Sequence, residues 1–333
     1  MPARRSQQPL FATALPRLVL SAALVALGAC DGSDSPVAPQ AESGAALAVG
    51  GGRFGGRIVF ATGTGDIYTM SADGSNLTHV LGGLDEPGGP VLSPDGTTIA
   101  FSDWVYVASA GKMFQHIFVV DANGGTATDK LPNYAYDMAF PAWSADGTRL
   151  AFTLSDGSTD GVLVTTPSYP SGDSAELRYN GVGVYASDLS FSADGQNAVF
   201  TRSGADAGVY VGTLGYTGGN WTFTGMTKVF GAAGVKYRCP VLSPDGRKIV
   251  FTVADDDPAG EIYVMNADGT GLKRLTSSPG VDTDPSWSPD GRRIAFASGR
   301  GGPMAVWSMT ANGAKPRPLT DLNLNAGQPS YGR

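Results

Sequence analysis

Histidine is almost missing from this 333-residue chain: there are two, His79 and His116. Two isolated histidines cannot build the His-rich cluster of a catalytic metal centre. No Gly-x-Ser-x-Gly elbow occurs, so an esterase-type nucleophile is not indicated. Cysteine is equally scarce, with only Cys30 and Cys239, and no disulfide framework can be drawn from them. Charged residues make up only 16% of the chain, and the formal charge is −7. Residues 1–29 hold Arg4, Arg5 and Arg17 and no acid, so their removal shifts that charge to −10. An acidic surface repels phosphate backbones, which argues against nucleic acid as a partner. Long apolar runs at helical spacing are also lacking. Short Val, Ile, Phe and Tyr runs bounded by Asp-Gly and Asn-Gly stand in their place, the pattern of strands joined by tight turns.

The N-terminal residues read as an address. A basic start is followed by the apolar stretch Leu18 to Leu27, short for a membrane span, and then by Leu27-Gly28-Ala29-Cys30. This ending resembles the bacterial lipobox, so residues 1–29 are expected to be a lipoprotein signal peptide and Cys30 the lipid attachment site. An ordinary secretory signal with Cys30 incidental is the alternative. Residues 30–54 are rich in Gly, Ser, Ala and Pro, with little to bury, and read as a lipidated flexible linker. The expected location is the cell envelope, periplasmic or surface-exposed, with the membrane engaged only through the lipid. Cys239 is then a lone thiol, read as a small buried side chain.

An internal repeat points to the fold. Ser-Pro/Ala-Asp-Gly followed by an apolar strand occurs at Ser93, Ser144, Ser192, Ser243 and Ser288, at intervals of 51, 48, 51 and 45 residues. That interval is the length of one four-stranded propeller blade. Ser and Pro suit the first two positions of a type I turn, and Gly supplies the positive φ that ends it. The strand after each turn is continuously apolar, as expected where neighbouring blades cover both faces. Residues 56–60 match this second strand without the strand that should precede it. Residues 329–333 match a first strand without what should follow. Joined, they complete a blade. The expectation is therefore all-β: a six-bladed β-propeller over residues 55–333, closed by pairing of N- and C-terminal strands, monomeric, and preceded by the signal peptide and linker. Two blades depart from the pattern, with longer loops expected at Pro167–Ala175 and Gly215–Asn220, and a long loop at Ser102–His116 carrying Trp104, Tyr106, Met113 and Phe114.

The run Trp287-Ser288-Pro289-Asp290-Gly291, with Ile294-Ala295-Phe296 and Ile262-Tyr263-Val264-Met265, resembles the WD40-like repeats of TolB-type propellers. The resemblance implies a periplasmic protein that docks an envelope protein or peptide at its channel mouth. TolB proper carries an α/β domain ahead of its propeller. Residues 31–54 are too few for one, so a role outside the Tol system proper is expected. Similar propellers precede prolyl oligopeptidase-type peptidase domains, and no such domain is expected here.

Candidate partner-binding residues are the polar side chains near the start of each inner strand: Asp85, Glu86, Asp137, Asp188, Lys236, Arg238, Asp282, Asp284 and Gln328. Most are acidic, so the mouth is expected to attract cationic groups. Asp255-Asp256-Asp257 lacks the spaced ligands of a calcium loop and reads as a solvated turn. No catalytic residue, metal site or cofactor is assigned. The reading is a non-catalytic binding module. The alternative is a glycan-binding protein or an acid–base enzyme, lyase-like or hydrolase-like, that uses the acidic channel.

Overall fold

The computed structural model describes residues 56–332, apart from 133, 157–159, 167–173, 180–181, 185, 218–219 and 255–259. The expected signal peptide and linker, Cys30 and Asp255–Asp257 therefore lie outside the described residues, as does most of Pro167–Ala175.

Six sheets form the domain, one for each blade, all antiparallel except for one short parallel pairing at the outer edge of blade 4. Their inner strands are Ala326–Tyr331 (blade 1), Gly88–Leu92 (blade 2), Asp137–Trp143 (blade 3), Ser187–Phe191 (blade 4), Lys236–Leu242 (blade 5) and Asp282–Trp287 (blade 6). In blade 1 the C-terminal strand pairs with the N-terminal strand Arg57–Thr62, with Ile58 opposite Tyr331 and Val59 opposite Ser330. The chain thus closes its own ring, and the pairing covers the edge that Arg57–Thr62 would otherwise expose.

The second strand of each blade places three consecutive apolar residues in the interior, ending on a phenylalanine. Phe60, Phe101, Phe152, Phe200, Phe251 and Phe296 are all buried. Strict alternation would leave one face wet. Here each sheet lies between two others, so both faces are dry and the run is continuous. Each buried Phe contributes a few kcal/mol, about 3–5 on truncation to Ala.

The Ser-Pro/Ala-Asp-Gly turns join the first strand to the second. At Ser93 the hydroxyl donates to Asp95 Oδ1 at 2.5 Å and accepts from Thr98 N–H at 2.9 Å. The Gly96 N–H closes the turn on the Ser93 carbonyl at 2.8 Å, with φ +71° at Gly96. Ser144, Ser192, Ser243 and Ser288 repeat the Ser-to-Asp bond. Ala145 and Ala193, in place of Pro, leave it intact.

Two expected loops are strands instead. Thr98–Val107 and Lys112–Asp121 form one long hairpin, so Trp104 pairs with Gln115 and Tyr106 with Met113. Val105, Tyr106 and Val107 favour extended backbone. The hairpin is pinned where buried His116 meets Asp129 through Nδ1 at 2.8 Å and the Tyr134 carbonyl through Nε2 at 2.9 Å. Gly208–Thr217 and Asn220–Phe230 likewise form a hairpin. The short strands Arg178–Tyr179 and Val182–Gly183 join the outer edge of that hairpin, making blade 4 six-stranded.

Candidate functional site

Each inner strand carries the same irregularity. Three residues of the inner strand span two of its neighbour, as where Gly88 faces Ser102 and Val91 faces Ala100. The same shift recurs in blades 3, 4, 5, 6 and 1. A β-bulge inserts one extra residue and re-aims its side chain. The inserted positions are Gly89, Phe140, Asp188, Cys239, Asp284 and Gln328, and every one has φ between +48° and +55°. Left-handed backbone is unfavourable for residues with a Cβ, least so for Asp. Six repetitions make it part of the architecture.

A proline follows the bulge residue in five blades: Pro90, Pro141, Pro240, Pro285 and Pro329. Blade 4 has Leu189 instead. Proline fits here because the inner strand is a sheet edge and a bulge, where no ladder N–H is required. The sequence signal was therefore present: a proline three residues ahead of the turn serine or its equivalent.

The bulge residues line a central cavity of about 310 Å³ that reaches along the inner strands to the turn residues Pro94, Pro244 and Pro289. Its composition is lopsided. Around the ring, blades 4, 5 and 6 contribute Asp188, Cys239 and Asp284, while blades 1, 2 and 3 contribute Gln328, Gly89 and Phe140. Phe140 is 40% exposed there. Hydrogen bonds run between neighbouring bulges. Gly89 N–H donates to Gln328 Oε1 at 2.7 Å, and Cys239 N–H donates to Asp188 Oδ2 at 3.2 Å. The Cys239 thiol donates to Asp284 Oδ1 at 3.1 Å.

Electrostatics follow from this crowding. Burial pushes the Asp188 carboxyl up to about 6 against the pull of the Cys239 N–H, and the Asp284 charge adds to the rise. Burial also raises Asp284, offset in part by the Cys239 thiol. The Cys239 thiol is pushed well above its ordinary value by burial and by both carboxylates, so it stays protonated and is a poor nucleophile. Asp188 is buried, yet its Oδ1 has no hydrogen-bond partner.

Of the nine mouth residues expected from sequence, Asp188, Asp284 and Gln328 line this cavity, and the other six are not part of its wall. Exposed Glu86 accepts from Trp104 Nε1 at 3.1 Å, and Asp85 is exposed beside it. Asp137 accepts from the Gln115 N–H at 3.1 Å. Lys236 and Arg238 are exposed. Asp282 is completely buried, held by Arg300 at 2.8 Å, Ser278 at 2.9 Å and Ser298. Arg300 in turn lies over Phe296 and Trp307, with its guanidinium 5.1 Å and 5.0 Å from the ring centres. Sequence reasoning passed over Phe140, Gly89 and the proline ring. Among the described residues, no three His, Cys, Asp or Glu side chains are grouped to hold a metal ion.

Comparison with known proteins bears on this ring directly. The family described as "TolB beta propeller domain" matches residues 220–332, which cover blades 5 and 6 and the closing strand. A solved TolB from Acinetobacter baumannii superposes with TM-score 0.66 and 20% identity, covering 84% of this chain and 67% of that one. The ring is a TolB-type propeller. Local sequence similarity agrees: a 47-residue stretch is 50% identical to the Tol-Pal system protein TolB of Anaeromyxobacter dehalogenans, covering 14% of this chain and 11% of that protein. A 70-residue stretch is 39% identical to dipeptidyl-peptidase 5 of Porphyromonas gingivalis, covering 20% of this chain and 10% of that protein. The matched stretches thus span about a tenth of the length of these curated relatives.

Proposed function

We propose that this chain is a non-catalytic binding protein of the bacterial cell envelope, tethered through lipid on Cys30, which receives a segment of a partner protein in its central channel. The observation that carries the reading is the cavity itself. Six bulges turn five side chains and Gly89 toward one lined space, leaving an exposed Phe140 opposite an acidic sector. An apolar anchor beside charged groups is what a protein segment needs for affinity and orientation. The thiol is protonated and held by a carboxylate, which disfavours nucleophilic chemistry.

The test replaces Phe140 by a photo-crosslinking phenylalanine analogue in cells, with the same analogue at Leu272, an exposed residue on the outer turn of blade 5. The expected result is a discrete protein adduct from position 140 and none from 272. Adducts from 272 alone, or none from 140, would overturn the channel reading. Cys30→Ser tests the tether, with release into the soluble fraction as the expected outcome.

One observation favours a second reading. A carboxyl raised to about 6 in an apolar cavity suits a general acid. Turnover of a glycan or lactone lost in Asp188→Asn would support that alternative over the binding protein.

A further inference from the structure

The unpartnered Asp188 Oδ1 is the most conspicuous loose end of the cavity. Asp188 is 8% exposed, lines the space, and has its other oxygen, Oδ2, occupied by the Cys239 N–H. A buried carboxylate oxygen left without a donor is costly, by far more than a neutral acceptor. Two blades away, Asp284 presents a second carboxylate to the same space, with Cys239 between them. Across from this sector the wall is apolar, formed by Phe140, Pro141, Pro90 and Leu92.

We propose that Asp188 and Asp284 form a site for a primary alkylammonium group, with the alkyl stem lying against the Phe140 and Pro141 side of the channel. This deepens the channel reading above, on which its protein-partner arm rests.

Geometry selects ammonium over the other cations. A guanidinium pairs best with both oxygens of one carboxylate in a planar fork. Asp188 offers only Oδ1, so the fork cannot form there. An ammonium has three donors around a single point and can reach oxygens belonging to different carboxylates. A metal ion is poorly served, because the acids and thiol are not grouped for coordination and Cys239 keeps its proton. Arg238, exposed and adjacent in sequence to Cys239, already exerts its positive charge on both carboxyls. It does not fill the cavity wall, so it acts as a resident electrostatic competitor.

The ammonium could come from a lysine of a partner or from a small free amine, and the experiment separates the sources. Calorimetric titration of the full chain at neutral pH and low salt would use pentylammonium, 1-pentanol, pentylguanidinium, and capped tripeptides centred on Lys or Arg. The site predicts pentylammonium or the Lys peptide binding about ten-fold tighter than the alcohol or the guanidinium compounds. Binding of the peptide alone assigns the source to protein lysines, and binding of both admits free amines. Asp188→Asn should weaken ammonium binding about ten-fold without lowering the melting temperature, and Arg238→Gln should tighten it about three-fold. Equal affinity for alcohol and amine, no heat from either amine up to about 10 mM, or unchanged binding in Asp188→Asn would overturn the site. So would calcium that displaces the amine from the wild type. Crosslinking from position 140 that persists in Asp188→Asn, with amine binding absent throughout, would sink the ammonium site and leave the binding-protein reading standing. Amine binding without any crosslinked partner would do the reverse.

Discussion

Ile58 lies opposite Tyr331, so residues 273 positions apart in sequence share one antiparallel pair. Tyr331 is buried and accompanied by a hydrogen bond from its own N–H to Ser286 Oγ at 3.0 Å, which links blade 1 to blade 6. Deleting residues 326–333 should expose the edge of Arg57–Thr62 and convert a single cooperative unfolding transition into aggregation or a broad melt. Calorimetry and size-exclusion chromatography would show it. A milder probe, Tyr331→Ala, should cost about 3 kcal/mol by chemical denaturation.

The turn serine is a second pressure point. Ser243 donates to Asp245 at 2.6 Å and accepts from the Lys248 N–H at 2.9 Å while buried. Ser243→Ala should destabilise by about 1–2 kcal/mol. The Ser243 hydroxyl also holds the Asp245 carboxyl below its ordinary 3.8. A depressed folded value means the stabilisation is present above the unfolded pKa and is lost as pH falls through the folded one. NMR titration of Asp245 should therefore move upward in the variant, and its acid unfolding should begin at higher pH.

Asp188 behaves in the opposite sense. Its folded value, raised to about 6, means the folded protein binds this proton more tightly than the unfolded chain does. Stability from this group is fully present below about pH 3.8 and is lost as pH rises through 6. Asp188→Asn, which keeps an acceptor for the Cys239 N–H, should therefore stabilise the protein by about 2–3 kcal/mol at pH 8, from 1.36 kcal/mol per pKa unit, with no gain below about pH 3.8. Melting temperature measured against pH in wild type and variant checks it. A stabilisation independent of pH would contradict the assignment.

Arg300 and Asp282 form a buried pair whose value lies in being complete. Arg300→Leu strands a buried carboxylate and should cost about 3–5 kcal/mol. The double variant with Asp282→Asn should recover much of that loss. Urea denaturation of the four proteins in the cycle gives the coupling directly.

Architecture was legible in this chain because a repeat multiplies every local signal. One Ser-Pro-Asp-Gly turn is weak, but five in register with a Phe-ending strand specify a blade, and the incomplete copies at residues 56–60 and 329–333 reveal the closure. Hairpin lengths were not legible. Trp104 and Gln115 pair because two extended segments run side by side from a turn at residues 108–111, and its one turn residue, Gly111 at φ +67°, is too weak a signal alone among many glycines. The candidate site was half legible. Asp188, Asp284 and Gln328 stood out as polar residues near inner strands, whereas Asp282, two residues from Asp284, has the same chemistry and the opposite fate.

Sequence alone determined the turn chemistry and the apolar second strand, because these depend on contacts within about fifty residues, and the two partial blades at residues 56–60 and 329–333 determined the count. Tertiary structure alone decided which side chains meet at the axis. A bulge shifts each inner strand by one residue, and a shift of one residue in a strand exchanges its faces. That single offset brings Asp188, Cys239 and Asp284, drawn from three different blades, around one cavity, and sends Asp282 to Arg300 instead.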